Sequence, residues 1–148
     1  MSSPATSHQP PATACALCAQ PGGAVLWKDD FARVVLIGDS DYPGFCRVIL
    51  NAHQNEMTAL STADRARLME VVFTVECALR ELLAPDKINL ASFGNVVPHL
   101  HWHVIPRFAD DPHFPNSVWS TRIRNNPRAL PPEFAESLRR RLGDLLKD

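Results

Sequence analysis

Three histidines stand at alternate positions in Pro98-His99-Leu100-His101-Trp102-His103-Val104-Ile105-Pro106-Arg107. A neutral imidazole is available at physiological pH as a nucleophile, a proton carrier or a metal ligand. Side chains two apart on a β-strand share a face, so three imidazoles line one side while Leu100, Trp102 and Val104 turn to the other. The apolar side reads as core, and the imidazole side must then open on a site. A histidine-rich edge strand of separately satisfied rings is the competing reading, and the unbroken alternation argues against it.

A second group with chemical potential is Cys15-Ala16-Leu17-Cys18, whose spacing puts two thiolates on adjacent corners of a tetrahedral zinc site. The alternatives are a redox pair, which needs a βαβ setting that the sequence lacks, or two unrelated thiols. Cys46 and Cys77 sit alone in apolar surroundings and read as small core residues. Arg107, directly after the strand, is a candidate either to meet phosphate or to pair with a carboxylate. His113 reads as a surface-loop residue, with a role at the mouth of the site as its alternative, and Trp119 as a cover over the core, with stacking on a base as its alternative.

The elements that must position these groups are legible from periodicity. Ala24–Trp27 and Ala32–Ile37 are short β-prone runs joined through Lys28-Asp29-Asp30 as a hairpin, and Phe45–Leu50 follows the turn residues Asp41-Tyr42-Pro43-Gly44. Lys87–Phe93 and Leu100–Ile105 supply two more strands. From Ser61 to Leu83, Leu68, Val71, Val72, Val75, Leu79, Leu82 and Leu83 recur at helical spacing, with Ser61 and Asp64 as a capping pair and Pro85 as the stop. Phe134, Leu138, Leu142 and Leu145 mark a short terminal helix. This order predicts an α+β fold. Residues 1–13, rich in Pro, Ser, Thr and Ala, predict a disordered tail ahead of a single domain over 14–148.

His99-Leu100-His101-Trp102-His103-Val104-Ile105 resembles the histidine-triad signature, in which three histidines alternate with hydrophobic residues, and the similarity extends from Cys15 to about Arg107. The resemblance implies a five-stranded antiparallel sheet with the long helix packed on it and a short C-terminal helix, commonly paired as a homodimer. It also implies that His101 attacks the α-phosphate of a nucleotide, that His103 bonds the phosphate oxygens and the leaving group, and that His99 adjoins them. Asn95 matches a phosphate contact and Asn89 a leaving-group contact, one residue closer to His99 than is commonest. In zinc-bearing members a histidine at the position of His53 joins the cysteine pair and the first triad histidine. That makes Cys15, Cys18, His53 and His99 a closed, structural zinc set, with no organic cofactor implied.

Two departures from the family pattern bear on recognition. Pro43-Gly44-Phe45 stands where the family often has Pro-Gly-His. The usual ribose-binding acid or amide falls near Ile37, which leaves Asp39 or Asp41 as the substitute.

Composition limits the partners. With 148 residues, 45% hydrophobic and 21% charged, and a formal net charge of −1, nothing draws the chain as a whole toward a nucleic acid polymer or an anionic membrane. Any phosphate must be bound locally. The N-terminus lacks the features of a secretory signal and no run is apolar enough to span a bilayer, so a cytoplasmic location is expected. The substrate class that the histidine-triad resemblance implies is a dinucleoside polyphosphate such as diadenosine tetraphosphate. The alternatives are a nucleoside phosphoramidase or nucleotidyl transferase, or a slow nucleotide-binding regulatory protein. A zinc-stabilised interaction module would leave His101 and His103 without a purpose.

Overall fold

The structure, a computed structural model, describes residues 14–39 and 41–147; the tail expected over 1–13 lies outside them. Five strands form one sheet: β1 (Ala24–Lys28), β2 (Ala32–Leu36), β3 (Cys46–Leu50), β4 (Lys87–Ala91) and β5 (His101–Arg107), in the spatial order β1-β2-β3-β5-β4 with every neighbouring pair antiparallel. The β1–β2 turn is held by Asp29, whose Oδ1 accepts the amides of Phe31 and Ala32, both at 2.8 Å. The expected antiparallel sheet, long helix and short C-terminal helix are all present.

Helix α2 (Thr62–Leu83) begins where the Ser61 hydroxyl accepts the Asp64 amide and ends on Ala84 in the left-handed conformation, before Pro85. Its buried stripe, Leu68, Val71, Val72, Val75, Ala78 and Leu79, packs on one sheet face. That face is built from alternate residues of the strands: Ala32 and Val34, Cys46, Val48 and Leu50, then Leu100, Trp102 and Val104. The terminal helix α3 (Phe134–Leu145) adds Phe134, Leu138 and Leu142 to this core. Gly44, at φ +90°, turns the chain into β3 beneath α2, where a Cβ would sit 2.6 Å from a Leu83 methyl.

The opposite sheet face carries polar groups: Arg33 on β2, Arg47 on β3, and His101, His103 and Arg107 on β5. Two segments without long regular structure cover it. One includes the four-residue helix α1 (Ala16–Ala19), a turn absent from the sequence expectations because it is too short to show a period. The other is the stretch after Arg107, where Phe108, Asp111 and His113 are buried. Cys46 fits the expectation of a core residue, and burial pushes its thiol up to about 12. Cys77 does not: it lies on the solvent side of α2, because the helical period that buries Val75, Ala78 and Leu79 turns position 77 outward. Among the described residues no helix is long and apolar enough to cross a membrane.

Candidate functional site

Strand β5 delivers the imidazoles in register with β3: His101 lies opposite Ile49 and His103 opposite Arg47. All three rings of the triad are buried, and each meets a different environment. His99 Nε2 donates to the Leu50 carbonyl at 2.6 Å, which leaves Nδ1 with its lone pair. That Nδ1 faces the Cys15 and Cys18 sulfurs, each at 3.4 Å.

The ring of His101 is oriented by the main chain. Its Nδ1 lies 2.6 Å from the His99 carbonyl, an atom that can only accept, so Nδ1 carries the proton and Nε2 the lone pair. The carbonyl of His101 itself accepts the Ser92 hydroxyl at 2.6 Å. Burial lowers the His101 pKa below its ordinary value; the His99 carbonyl opposes this and the Arg47 charge adds to it. The ring is therefore neutral at physiological pH and has a free nitrogen.

His103 is held down to about 4, first by burial and then by the positive potential of His101 and Arg47. Its Nδ1 is buried with no hydrogen-bond partner among the described residues. Around it stand aromatic rings: Phe45 at 5.5 Å, Trp119 at 5.2 Å and Phe93 at 6.4 Å between centroids.

These groups line a cavity of about 510 Å³, with His101, His103 and Arg47 on its floor and Phe93, Asn95 and Trp119 on its wall. Gly94, at φ +70°, turns the β4–β5 connection back over the cavity. Phe93 is 58% exposed and Trp119 53%, and their rings meet edge to face at 4.9 Å. Large apolar rings left open beside polar groups are a surface suited to a planar ligand. Of the two places expected for Trp119, its position suits stacking on a base better than covering the core: the irregular segment that carries it folds across the imidazole face.

Other expected residues fall elsewhere. Asn95 lines the cavity. Asn89 sits on β4 in the adjoining groove behind Phe93 and Trp119, where its Oδ1 accepts Arg107 Nη1 at 2.7 Å. Arg107, 2% exposed, does not reach the cavity: Nε donates to Asp111 at 2.7 Å, and Nη2 to Asp111 and to the Asn116 carbonyl. Of its two expected roles, pairing with a carboxylate is the one the geometry fulfils. Burial works against the charge of Asp111, but Arg107 and the amides of His113 and Phe114 outweigh it and lower its pKa. His113, expected on the surface, is buried against Tyr42, with its Nδ1 bonded to the phenol.

Asp39 is exposed and accepts the Asp41 amide, and Asp41 pairs with Arg122; neither carboxylate lines the cavity. Arg47 was not among the residues singled out from the sequence. The available signal was one charge inside the apolar run Phe45–Leu50.

Beside the cavity, Cys15, Cys18, His53 and His99 each offer a ligand atom, all within 4.8 Å of one another. Cys18 Sγ lies 3.3 Å from His53 Nδ1. A tetrahedral ion bound at 2.0–2.3 Å holds its ligands roughly 3.3–3.8 Å apart, so these sulfur–nitrogen separations are close to those of a metal set. The Leu50 carbonyl fixes the tautomer of His99 that such a role requires. The four residues could therefore hold a metal ion.

The HIT domain model matches residues 20–110. Among solved structures, a histidine triad protein from Bradyrhizobium japonicum is 29% identical, with 82% of this chain and 92% of that one covered and a TM-score of 0.70. One from Marinobacter aquaeolei VT8 is 27% identical over 88% and 92%, with a TM-score of 0.67, and one from Sinorhizobium meliloti 1021 is 25% identical over 85% and 91%, also at 0.67. Comparison with curated protein sequences gave no match. With the triad on β5 and a matching model over most of the sheet, the chain belongs to the HIT domain family, whose members bind nucleotides and generally act as hydrolases or transferases.

Proposed function

We propose that this protein hydrolyses dinucleoside polyphosphates resembling diadenosine tetraphosphate through a nucleotidyl-histidine on His101. The observation that carries the reading is the His99 carbonyl bonded to His101 Nδ1, which leaves Nε2 as the free nitrogen of a neutral ring at the cavity floor. In the first step Nε2 forms a bond to the α-phosphorus and the bond to the bridging oxygen breaks, releasing the rest of the phosphate chain. In the second, water adds to phosphorus, the P–N bond breaks, and a nucleoside monophosphate leaves. Dividing one displacement in two lowers each barrier.

His103, beside His101, donates to the phosphate oxygens as charge develops, and Asn95 contacts them from the wall. Asn89 supports the leaving-group side from the adjoining groove. His99 serves from behind, through its carbonyl. Phe93 and Trp119 flank the base. No organic cofactor is invoked.

Zinc is the metal that two thiolates and two imidazoles suit, and Cys15, Cys18, His53 and His99 would hold it. A closed set of this kind supplies structure alone: it ties the N-terminal segment to the strand that carries His101. The working form is a homodimer in the cytoplasm, acting on nucleotides and not on nucleic acid polymers or membranes.

The test is incubation with labelled diadenosine tetraphosphate, followed by product analysis and acid-labile label counting on the protein. AMP with a complementary polyphosphate product, and label on His101, are expected. Intact substrate with no label on the protein would reject the reading.

A further inference from the structure

Arg47 is the only arginine or lysine among the residues lining the cavity. It is half-buried and lies directly across from His103 on the neighbouring strand. The one hydrogen bond of its side chain among the described residues is a 3.5 Å contact from Nη1 to the Gly22 carbonyl, at the outer limit of such a bond. Its Nε is buried with no partner, and no carboxylate among the described residues pairs with it. A guanidinium partly stripped of water and left without an anion costs free energy that an anionic ligand would recover.

The position along the strand indicates which anion. Ile49 lies opposite His101, and Arg47 lies two residues further along, opposite His103. Two residues of strand span about 7 Å. A phosphorus seated on His101 therefore has His103 and Arg47 side by side, two residues along the floor. A lone phosphate on His101 meets the His103 ring, whose centroid is 5.0 Å from that of His101, whereas a chain of phosphates leaving along the floor also meets the guanidinium beside it, whose planar fork suits phosphate oxygens.

We propose that Arg47 binds the phosphates beyond the one attacked, and so selects substrates with an anionic phosphate-chain leaving group over those with an amine leaving group. This rests on His101 being the attacking residue, and it narrows the substrate class of that same site. It also accounts for a cavity wall with no carboxylate: nothing there competes for Arg47 or repels the chain.

Two measurements test it. Calorimetric binding of AMP and of the non-cleavable α,β-methylene analogue of ADP needs no turnover. The wild type should bind the analogue about tenfold or more tightly than AMP, as expected of one charge-assisted hydrogen-bonded contact, Arg47→Met should lose that preference, and Arg47→Lys should keep part of it. Arg47→Lys retains the charge and guards against a folding defect in the methionine variant, whose melting is checked alongside. In the kinetic arm, Arg47→Met should lower kcat/KM for diadenosine tetraphosphate by roughly tenfold to a hundredfold and change that for adenosine 5′-phosphoramidate little. Equal affinity of the wild type for AMP and the analogue, a preference that survives in Arg47→Met, or equal kinetic losses on both substrates would each overturn the assignment. Failure to label His101 rejects the proposed reaction and leaves the binding arm to decide the role of Arg47 by itself.

Discussion

Three arginines project from the imidazole face of the sheet, and they differ in what surrounds them. Arg33 donates to the carbonyls of Leu17, Gln20 and Pro21 and to Asn51, and Arg107 to Asp111, Asn89 and the Asn116 carbonyl. Arg47, between them in the sheet, has one long contact and an unpartnered Nε. The first two are saturated and hold the covering segments down. The third is left open beside the cavity. A charged residue on a buried face can be a fastener or a receptor, and its bonding tells which.

The same contrast runs along the triad itself, and it orders the predictions. His99 is saturated, His101 has one ring nitrogen free and His103 has no partner. His101→Ala should abolish turnover, a loss of roughly 10⁴-fold or more, as for removal of a nucleophile. His103→Ala, which removes a phosphate donor, should cost about a hundredfold. Single-turnover rates on diadenosine tetraphosphate check both, and equal total loss would erase the distinction between the two rings.

Among the arginines the stability effect should be reversed. Arg107→Met leaves Asp111 buried without its counter-ion and should cost about 3–5 kcal/mol in urea unfolding. Arg47→Met orphans no partner, so its cost should stay within about 1 kcal/mol. A larger loss for Arg47 than for Arg107 would invert the comparison.

The saturation of His99 can be tested through its sulfur neighbours. Replacing both Cys15 and Cys18 by Ser should remove about one zinc per chain and lower stability by about 3 kcal/mol, the upper end of ordinary substitution effects. Activity should fall far less than in His101→Ala. Protein prepared without chelator and lacking metal, with unchanged melting of the double variant, would leave the cysteines as plain thiols.

A further stability effect depends on pH. His103 is held near 4 in the folded chain against 6.5 ordinarily, so as pH falls below 6.5 the unfolded chain takes up a proton that the folded chain refuses. Stability should therefore decline between about pH 6.5 and 4, and His103→Gln should flatten that decline in melting curves. Parallel slopes for the two proteins would mean that the ring is not held neutral by its surroundings.

Local patterns carried much of this into the sequence. The period of two in His99–His103 implied one imidazole face with Leu100, Trp102 and Val104 opposite, and the period of α2 implied its core stripe. What stayed hidden depends on which strand lies beside which. Nothing within Phe45–Leu50 says that Arg47 falls across from His103; the β3–β5 pairing joins residues more than fifty positions apart. The segment after Arg107 has no period to read, so the sequence left Trp119 open between the core and a base, and did not show that His113 is buried. Arg107 was open to two roles until Asp111 was seen to close around it.

The oxygen that sets the tautomer of His101 belongs to the main chain of His99. Every residue supplies a main-chain carbonyl, so a point substitution at position 99 would disturb the cysteine cluster before it reversed the proton placement on its neighbour. Proton placement on the His101 ring is thereby insulated from substitution at its neighbour, whereas Arg47, Phe93 and Trp119 act through side chains that a single codon can alter. A lineage built on this scaffold can drift in what it accepts while the nitrogen that reacts stays the same.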